Sequence, residues 1–444
     1  MLLPPDLREW VAEDDLVHFV IDAVERLPLE SFAINAKGCG DEQYPPRMML
    51  ALLIYCYANG VFSSRRIERA SYRDVAVRYL CADTHPDHDT ICAFRRNNLE
   101  AIAAAFVDVL ELARELKLLK LGTVSVDGTH IRASASKDQN ITYARAQQVR
   151  TQLRIDVEQL LRQAEQSDRQ DDDPQKLPGD LARRERLLRK LDEACARLEQ
   201  RAQARAEAER LEYERKVAAR DKRKGSRKGP NPKPPSALPG DNEQINLTDG
   251  DSGLMRKSQR EGYTQSYNAQ AVVDAEGSQL IIGQRVSDCA SDANELEPGL
   301  ESIPPQLGAP TAVLADCGYV NREAFRRVAA LAPAPELYVS VYREDAHAER
   351  RYDFRPLARM KRPKPAIDPA LLAMAEKLKT EAGRARYRKR AQSVEPTFGI
   401  IKQVLGFRQF LLRGIHKVSG EWSLVCLAYN LKRLQQLALQ ALPA

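Results

Sequence analysis

The chain contains no Cys-x2-Cys pair, although it has eight cysteines. With no paired spacing to suggest a metal or redox site, the thiols are expected to be buried as small apolar residues in a reducing compartment. Long apolar runs are missing too. The longest, Met48 to Ala58, falls well short of the roughly 20 residues needed to span a bilayer. Met1 to Asp6 shows neither a basic n-region nor a long apolar run. The expectation is a soluble, cytoplasmic protein with no membrane partner. Nor is there a large excess of one charge, since 68 Lys and Arg against 62 Asp and Glu leave +6. The excess is local, however. Lys222, Arg223, Lys224, Arg227, Lys228 and Lys233 crowd one Pro- and Gly-containing stretch that reads as a flexible linker. A concentrated positive charge of this kind suits a polyanion.

What is present is a carboxylate placed after a short apolar strand, twice. Thr123, Val124 and Val126 favour an extended strand, Asp127 follows them, and Gly128 permits a turn. Residues 131–135 would then form a hairpin partner. Thr311 to Ala315 repeats the arrangement and delivers Asp316, with Gly318 just beyond. A third acid, Glu395, lies in a helical run beginning near Tyr387, with Pro396 as a possible break or restart. Two strand-end aspartates and a helix glutamate can hold two divalent ions, which clamp a phosphodiester when roughly 3.5–4 Å apart. Close carboxylates raise one another's pKa unless a cation compensates, and oxygen-only ligands favour Mg²⁺ or Mn²⁺. Asp274 competes as a further acid, but its place between two strands reads as turn-forming. Glu421 is the other reserve candidate.

The 444 residues suggest two or three domains at ~150 residues each. Residues 1–120 read as a helical N-terminal domain. In it, Met48 to Tyr57 is a buried helix, short helices carry Arg65 and Arg66, and a long helix starts at Asp89 and Thr90. The basic short helices suggest DNA binding. Cys81, His85, His88 and Cys92 are zinc-compatible types, but Pro86 and Asp87 interrupt the run like a helix start, and no zinc site is expected. Residues 121–140 open the core. Residues 141–240 form an inserted coiled-coil-like helical hairpin and the basic linker. Its seams are Val149, Leu153, Val157, Leu160 and Ala164 on one helix, and Leu187, Leu191, Ala194 and Leu198 on the other. Residues 241–444 complete the core, where antiparallel strands followed by alternating helix and strand imply a mixed sheet with helices on both faces.

In this order, Val126-Asp127-Gly128-Thr129, Ala315-Asp316-Cys317-Gly318-Tyr319 and Val394-Glu395-Pro396-Thr397-Phe398 resemble the insertion-sequence transposases of the DDE type. Arg413-Gly414, Glu421-Trp422 and the N-terminal run from Tyr44 to Glu68 share the resemblance, which covers most of the chain outside roughly 141–240. It implies an RNase H-like α/β core with Asp127, Asp316 and Glu395 as catalytic metal ligands for two Mg²⁺ or Mn²⁺ ions. It also implies double-stranded DNA as partner, cut at inverted-repeat ends and joined to target DNA by at least a homodimer. The family's glutamate signature, Tyr-x2-Arg-x3-Glu-x6-Lys, fits Glu395 and Lys402. Ala391 occupies the Arg position, leaving Arg390 and Arg388 as competitors for the phosphate-contacting role. Arg65, Arg66, Lys222, Arg223 and Lys224 are the remaining DNA-binding candidates. The alternatives are an RNase H-like nuclease without strand transfer and an inactive DNA-binding derivative.

Overall fold

The computed structural model describes residues 6–33, 43–168, 177–221, 231–256, 262–342 and 368–441. Lys222, Arg223 and Lys224 lie outside the described residues. The chain divides into two units, one made of Met1–Ala133 and Ser266–Ala444, the other of Ser134–Gln265.

In the first unit, α1 (Leu16–Glu25), α2 (Pro46–Ala58), α3 (Ser64–Arg73), α4 (Val75–Leu80), α5 (His88–Asn97) and α6 (Leu99–Glu115) precede the first strand. Residues Met49 to Ala58 of α2 are all buried. The long helix expected from Asp89 is instead two, α5 and α6. Asp87 caps α5 by accepting from the amides of Asp89 and Thr90. The break falls at Asn98, whose side-chain amide donates to Phe94 O (2.8 Å) and whose Oδ1 accepts from Ala33 N (2.7 Å). One bond is local and the other reaches across the chain, and together they let an Asn replace a helical turn by a bend.

β1 (Thr123–Arg132) is one continuous strand through Asp127 and Gly128. The turn and hairpin expected there do not form, because every residue from Val124 to Arg132 is paired with β5 (Thr264–Asp274), antiparallel. β6 (Ile281–Ser287) extends that side. On the other side β7 (Ala312–Ala315) runs parallel to β1, and β8 (Glu336–Val339) parallel to β7. These strands run in the order β6-β5-β1-β7-β8 and belong to a six-stranded mixed sheet whose remaining strand is the short β4 (Gly253–Met255). Helices α9 (Leu296–Glu301) and α10 (Arg322–Ala329) follow β6 and β7. Next come α11 (Pro369–Lys379), α12 (Glu381–Gly399), a π-helical turn over Ile400–Val404, and α13 (Ile415–Ala441). Successive strand residues point to opposite faces. Ser125 meets Ser393 of α12, Oγ to Oγ at 2.7 Å, while Val126 lies against Gly299 of α9. Helices therefore cover both faces.

α12 is unbroken across Pro396. The carbonyl that its missing N–H leaves open, Gln392 O, accepts instead from Gln279 Nε2 at 2.6 Å. That bond explains why the proline neither ends nor restarts the helix. Asp274 closes β5 and accepts from Ser278 N and Oγ (3.1 and 2.6 Å) across the turn to β6.

The second unit pairs α7 (Tyr143–Asp168) with α8 (Leu177–Asp221), beside the short strands β2 (Asn140–Thr142) and β3 (Gln244–Asn246). Ala146, Leu153, Leu191 and Cys195 form the seam, with Val149 and Leu188 packed against it. Leu187, expected in the seam, is exposed. Arg150 and Arg154 both pair with Asp192 across the two helices.

Glu421, on α13, is wholly buried and away from the strand ends. Its Oε2 accepts from Leu411 N and Leu412 N (both 2.9 Å), and its Oε1 lies 3.9 Å from Arg95 Nη1, with the Tyr57 hydroxyl between them. Burial raises its pKa against the pull of Arg95 and the two amides. Glu421→Ala would strand the Arg95 charge and two amides in the core. The expected loss is about 3–5 kcal/mol, read as a lower urea midpoint by the fluorescence of buried Trp422. An unchanged midpoint would show that this cluster does not tie α5 to α13.

Candidate active site

Asp127 is carried mid-strand by β1, one step from Ser125 on the face that α12 covers. Asp316 follows β7 and caps the short turn Cys317–Tyr319 by accepting from Gly318 N. Glu395 projects from α12 toward solvent, its side chain half exposed (52%). The buried face of α12 runs through Arg390, Ser393, Val394 and Thr397, a helical spacing. Lys389 to Glu276 (2.8 Å) and the Ser125–Ser393 contact hold this face on the sheet.

Arg390 brings the three acids together. Its Nη1 lies 3.0 Å from Glu395 Oε1, and its Nη2 lies 3.1 Å from Asp127 Oδ2 and 3.8 Å from Asp316 Oδ2. Burial opposes the guanidinium charge, but Asp127, Tyr387, Asp316 and Glu395 outweigh it and raise its pKa. Burial also pushes Asp127 up to about 7, aided by the charges of Asp316 and Asp292 and opposed by Arg390 and the Gly128 amide. Arg388, the competitor from sequence, is exposed on another part of α12. Among the described residues no group of three or more His, Cys, Asp or Glu stands in an arrangement that could hold a metal ion. Asp127, Asp316 and Glu395 are instead turned onto Arg390. The donor set nevertheless fits a hard divalent cation. It consists of carboxylate oxygens only, and one guanidinium charge offsets three acids.

Lys402 does not simply share the Glu395 face, because the π-helical turn at Ile400–Val404 changes the register. Its Nζ donates to Thr129 Oγ1 and to His130 O (3.1 Å), just beyond Asp127 on β1. Arg65 and Arg66 are exposed on α3, with Arg69 and Arg73. The zinc-compatible residues do not converge. Cys81 is buried, His85 stacks on Tyr72 at 3.9 Å, and His88 pairs with Glu68 at 2.8 Å.

Sequence reasoning missed Asp292. Its Oδ1 accepts from Asn268 Nδ2 (2.8 Å) and Gln270 Nε2 (2.7 Å) on β5. The signal available was a small one, an Asp in a short turn ahead of α9. Gly128 was misread. It serves close approach rather than a turn, since a Cβ there would lie 2.1 Å from Gln270 Nε2 and 2.6 Å from Asp292 Oδ1.

The Asp127 carboxyl has a stability consequence when divalent ions are chelated. Its pKa is raised above the ordinary value of ~4, so the folded protein holds a proton that the unfolded chain releases. Stability therefore falls as pH rises from about 4 to 7. In EDTA, Asp127→Asn should melt a few degrees above wild type at pH 8, at about 1 °C per kcal/mol for a chain of this length. The gap should close near pH 4. Equal melting temperatures at pH 8 would mean that the buried charge costs nothing.

Residues 357–435 match the family model of the transposase DDE domain, and residues 5–97 match that of the transposase domain DUF772. No curated protein and no solved structure matches the chain. The DDE match contains Glu395, Arg390 and Lys402; Asp127 and Asp316 lie outside it, and the fold brings them to it. A DDE domain implies an RNase H-like fold, and the mixed sheet described above accords with one. Two separate transposase matches, one toward each end, support an insertion-sequence DDE transposase.

Proposed function

We propose that the chain cuts DNA at the inverted-repeat ends of its element and joins the freed ends to target DNA. The observation that carries this reading is the gathering of Asp127, Asp316 and Glu395 around one buried guanidinium. Carboxylates gathered around one group raise one another's pKa unless a cation compensates, and a divalent ion would do so more fully than the single charge of Arg390. Asp127, Asp316 and Glu395 would hold two Mg²⁺ or Mn²⁺ ions. When bound, such ions activate a water or 3′-hydroxyl and stabilise the leaving 3′-oxygen.

The protein's own groups orient the DNA. The bidentate fork of Arg390 fits a phosphate as well as a carboxylate, so it would turn from the acids to the phosphate at the scissile bond. Lys402, held at Thr129 and His130, would meet a neighbouring phosphate, with exposed Arg388 further along the same backbone. Arg65 and Arg66 would position the duplex through its phosphates, aided by Lys222, Arg223 and Lys224. Bringing two element ends together calls for a homodimer or larger assembly. Such a protein would work in the cytoplasm, at the nucleoid.

The test is cleavage of a duplex carrying the inverted repeats, with Mg²⁺, Mn²⁺ or EDTA. Wild type should cut at the repeat ends only with metal. Asp127→Asn and Glu395→Gln should bind equally but cut about 10²–10³-fold more slowly, the scale on which one group stabilising a developing oxyanion is felt. A variant that cuts like wild type places its residue outside the site. Wild type that binds but never cuts is an inactive DNA-binding derivative, and cutting without joining marks a nuclease. In the same duplex, the double variant Arg65→Ala/Arg66→Ala should weaken binding across sequences and flatten the slope of log affinity against log salt by about 1–2. An unaltered slope would remove α3 from the interface.

A further inference from the structure

The exposed face of α3 holds more than charge. Ile67 and Ser71 are its buried residues and fix the side that meets the fold. Arg65, Arg66, Arg69, Tyr72 and Arg73 are all exposed. Arg65, Arg69 and Tyr72 follow one another at steps of four and three, so they line one stripe of the helix. The one acid on α3, Glu68, is taken by His88 at 2.8 Å. The arginines therefore have no free acid of their own helix to neutralise them, and such a face suits a polyanion.

Phosphate contacts alone give no reason for an aromatic ring in that stripe. Tyr72 is 57% exposed. Its ring lies on the imidazole of His85, with centroids 3.9 Å apart and planes 19° from parallel. His85 comes from the segment joining α4 to α5, and its Nδ1 lies 3.3 Å from the oxygen of buried Ser71. The imidazole is thus held from behind. It covers one face of the Tyr72 ring, and the exposure belongs to the other face and the edge. An isolated exposed ring would carry no argument, because folded surfaces hold many apolar atoms. A ring backed on one side and bordered by arginines is different. A planar base can lie on its open face while the adjoining phosphates meet the arginines. The backing also limits the side-chain freedom lost on binding. Bases inside a duplex have both faces covered by their neighbours, so the ligand that fits is an unpaired one.

We propose that Tyr72, backed by His85, is a stacking platform for an unpaired nucleobase at the end of a DNA strand, with Arg65 and Arg69 on the adjoining phosphates. The proposal rests on the reading of α3 as a DNA-contacting helix and adds that the strand is unpaired there.

The test is binding of the full chain, in EDTA, to two DNAs. One is a duplex with a short single-stranded tail whose first unpaired base is 5-iodouracil. The other is the same duplex sequence closed into a circle, where every base is paired. Wild type should bind the tailed duplex more tightly, and irradiation should cross-link the iodouracil to Tyr72, located by peptide mass. Tyr72→Ala should lose the cross-link and bind the tailed duplex about 5–100-fold more weakly, the scale of cutting a base-stacking aromatic to alanine. Its binding to the circle should not change, which also shows that the variant is folded. Tyr72→Phe keeps the ring and should keep the affinity. If Tyr72→Ala binds the tailed duplex like wild type while Arg65→Ala/Arg66→Ala weakens binding to both DNAs, the platform fails and the DNA reading of α3 stands. A cross-link elsewhere in the wild type, an equal loss on both DNAs, or a loss in Tyr72→Phe as large as in Tyr72→Ala also overturns the platform. If none of these variants alters binding to either DNA, α3 does not contact DNA and both readings fall.

Discussion

Like charges share a small, half-buried volume only if a proton is bound or something of opposite sign stands among them. Here that is Arg390. Its guanidinium reaches Asp127, Asp316 and Glu395 from within α12, and those three residues come from two strands and a helix separated by long stretches of chain. Removing the cation would leave Asp127 with only one amide donor against burial and two acidic neighbours. The packing of α12 on β1 follows from the same requirement. A close approach needs small residues at the contact, and Ser125 against Ser393 supplies it.

The sheet then fixes where each acid can be. Asp127 sits in the middle of β1, paired with Ala271 of β5 and two residues past the end of the β1–β7 ladder, so its position is set by a strand rather than by a loop. Asp316 begins where β7 ends and is held by its own cap to Gly318. Polar side chains on β5 fill the space beside Gly128, and only a glycine lets them in. The N-terminal helices contribute at one remove. The buried Arg95–Tyr57–Glu421 cluster ties α5 and α2 to α13, and Trp422 on α13 donates to the backbone of Gln270, the residue that clamps Asp292.

The parts legible in the sequence were those carried by local pattern. The apolar runs around Val124 and Val313 marked the two central strands, and Met48 to Tyr57 marked a buried helix. Each depends on residue type alone. The parts that were not legible depend on partners distant in the chain. Gly128 and Pro396 look like punctuation in sequence. Gly128 is a packing requirement imposed by β5, and the cost of Pro396 is met by Gln279, more than a hundred residues away. Asn98 divides a helix through a bond to Ala33. The departure from the family spacing at Ala391 left Arg390 and Arg388 undecided, because spacing gives the direction of a Cβ but not the reach of a long side chain.

That reach bears on the function proposed for the site. Arg390 lies five residues before Glu395, off the ideal i, i+4 spacing, yet still bonds it at 3.0 Å while holding Asp127. A guanidinium stretched between acids on different elements balances their charge but makes poor use of its own donors. Its Nε is buried without a partner, a cost that persists while the acids hold the two Nη groups. On the proposed metal-dependent reading, a divalent cation would offer the same carboxylates twice the charge, and a phosphate would offer two oxygens to the planar fork of Arg390. Exchanging one ion pair for these two would improve both sides of it. On that proposal, the arginine that neutralises the acids in the free protein would also be the group that receives the DNA.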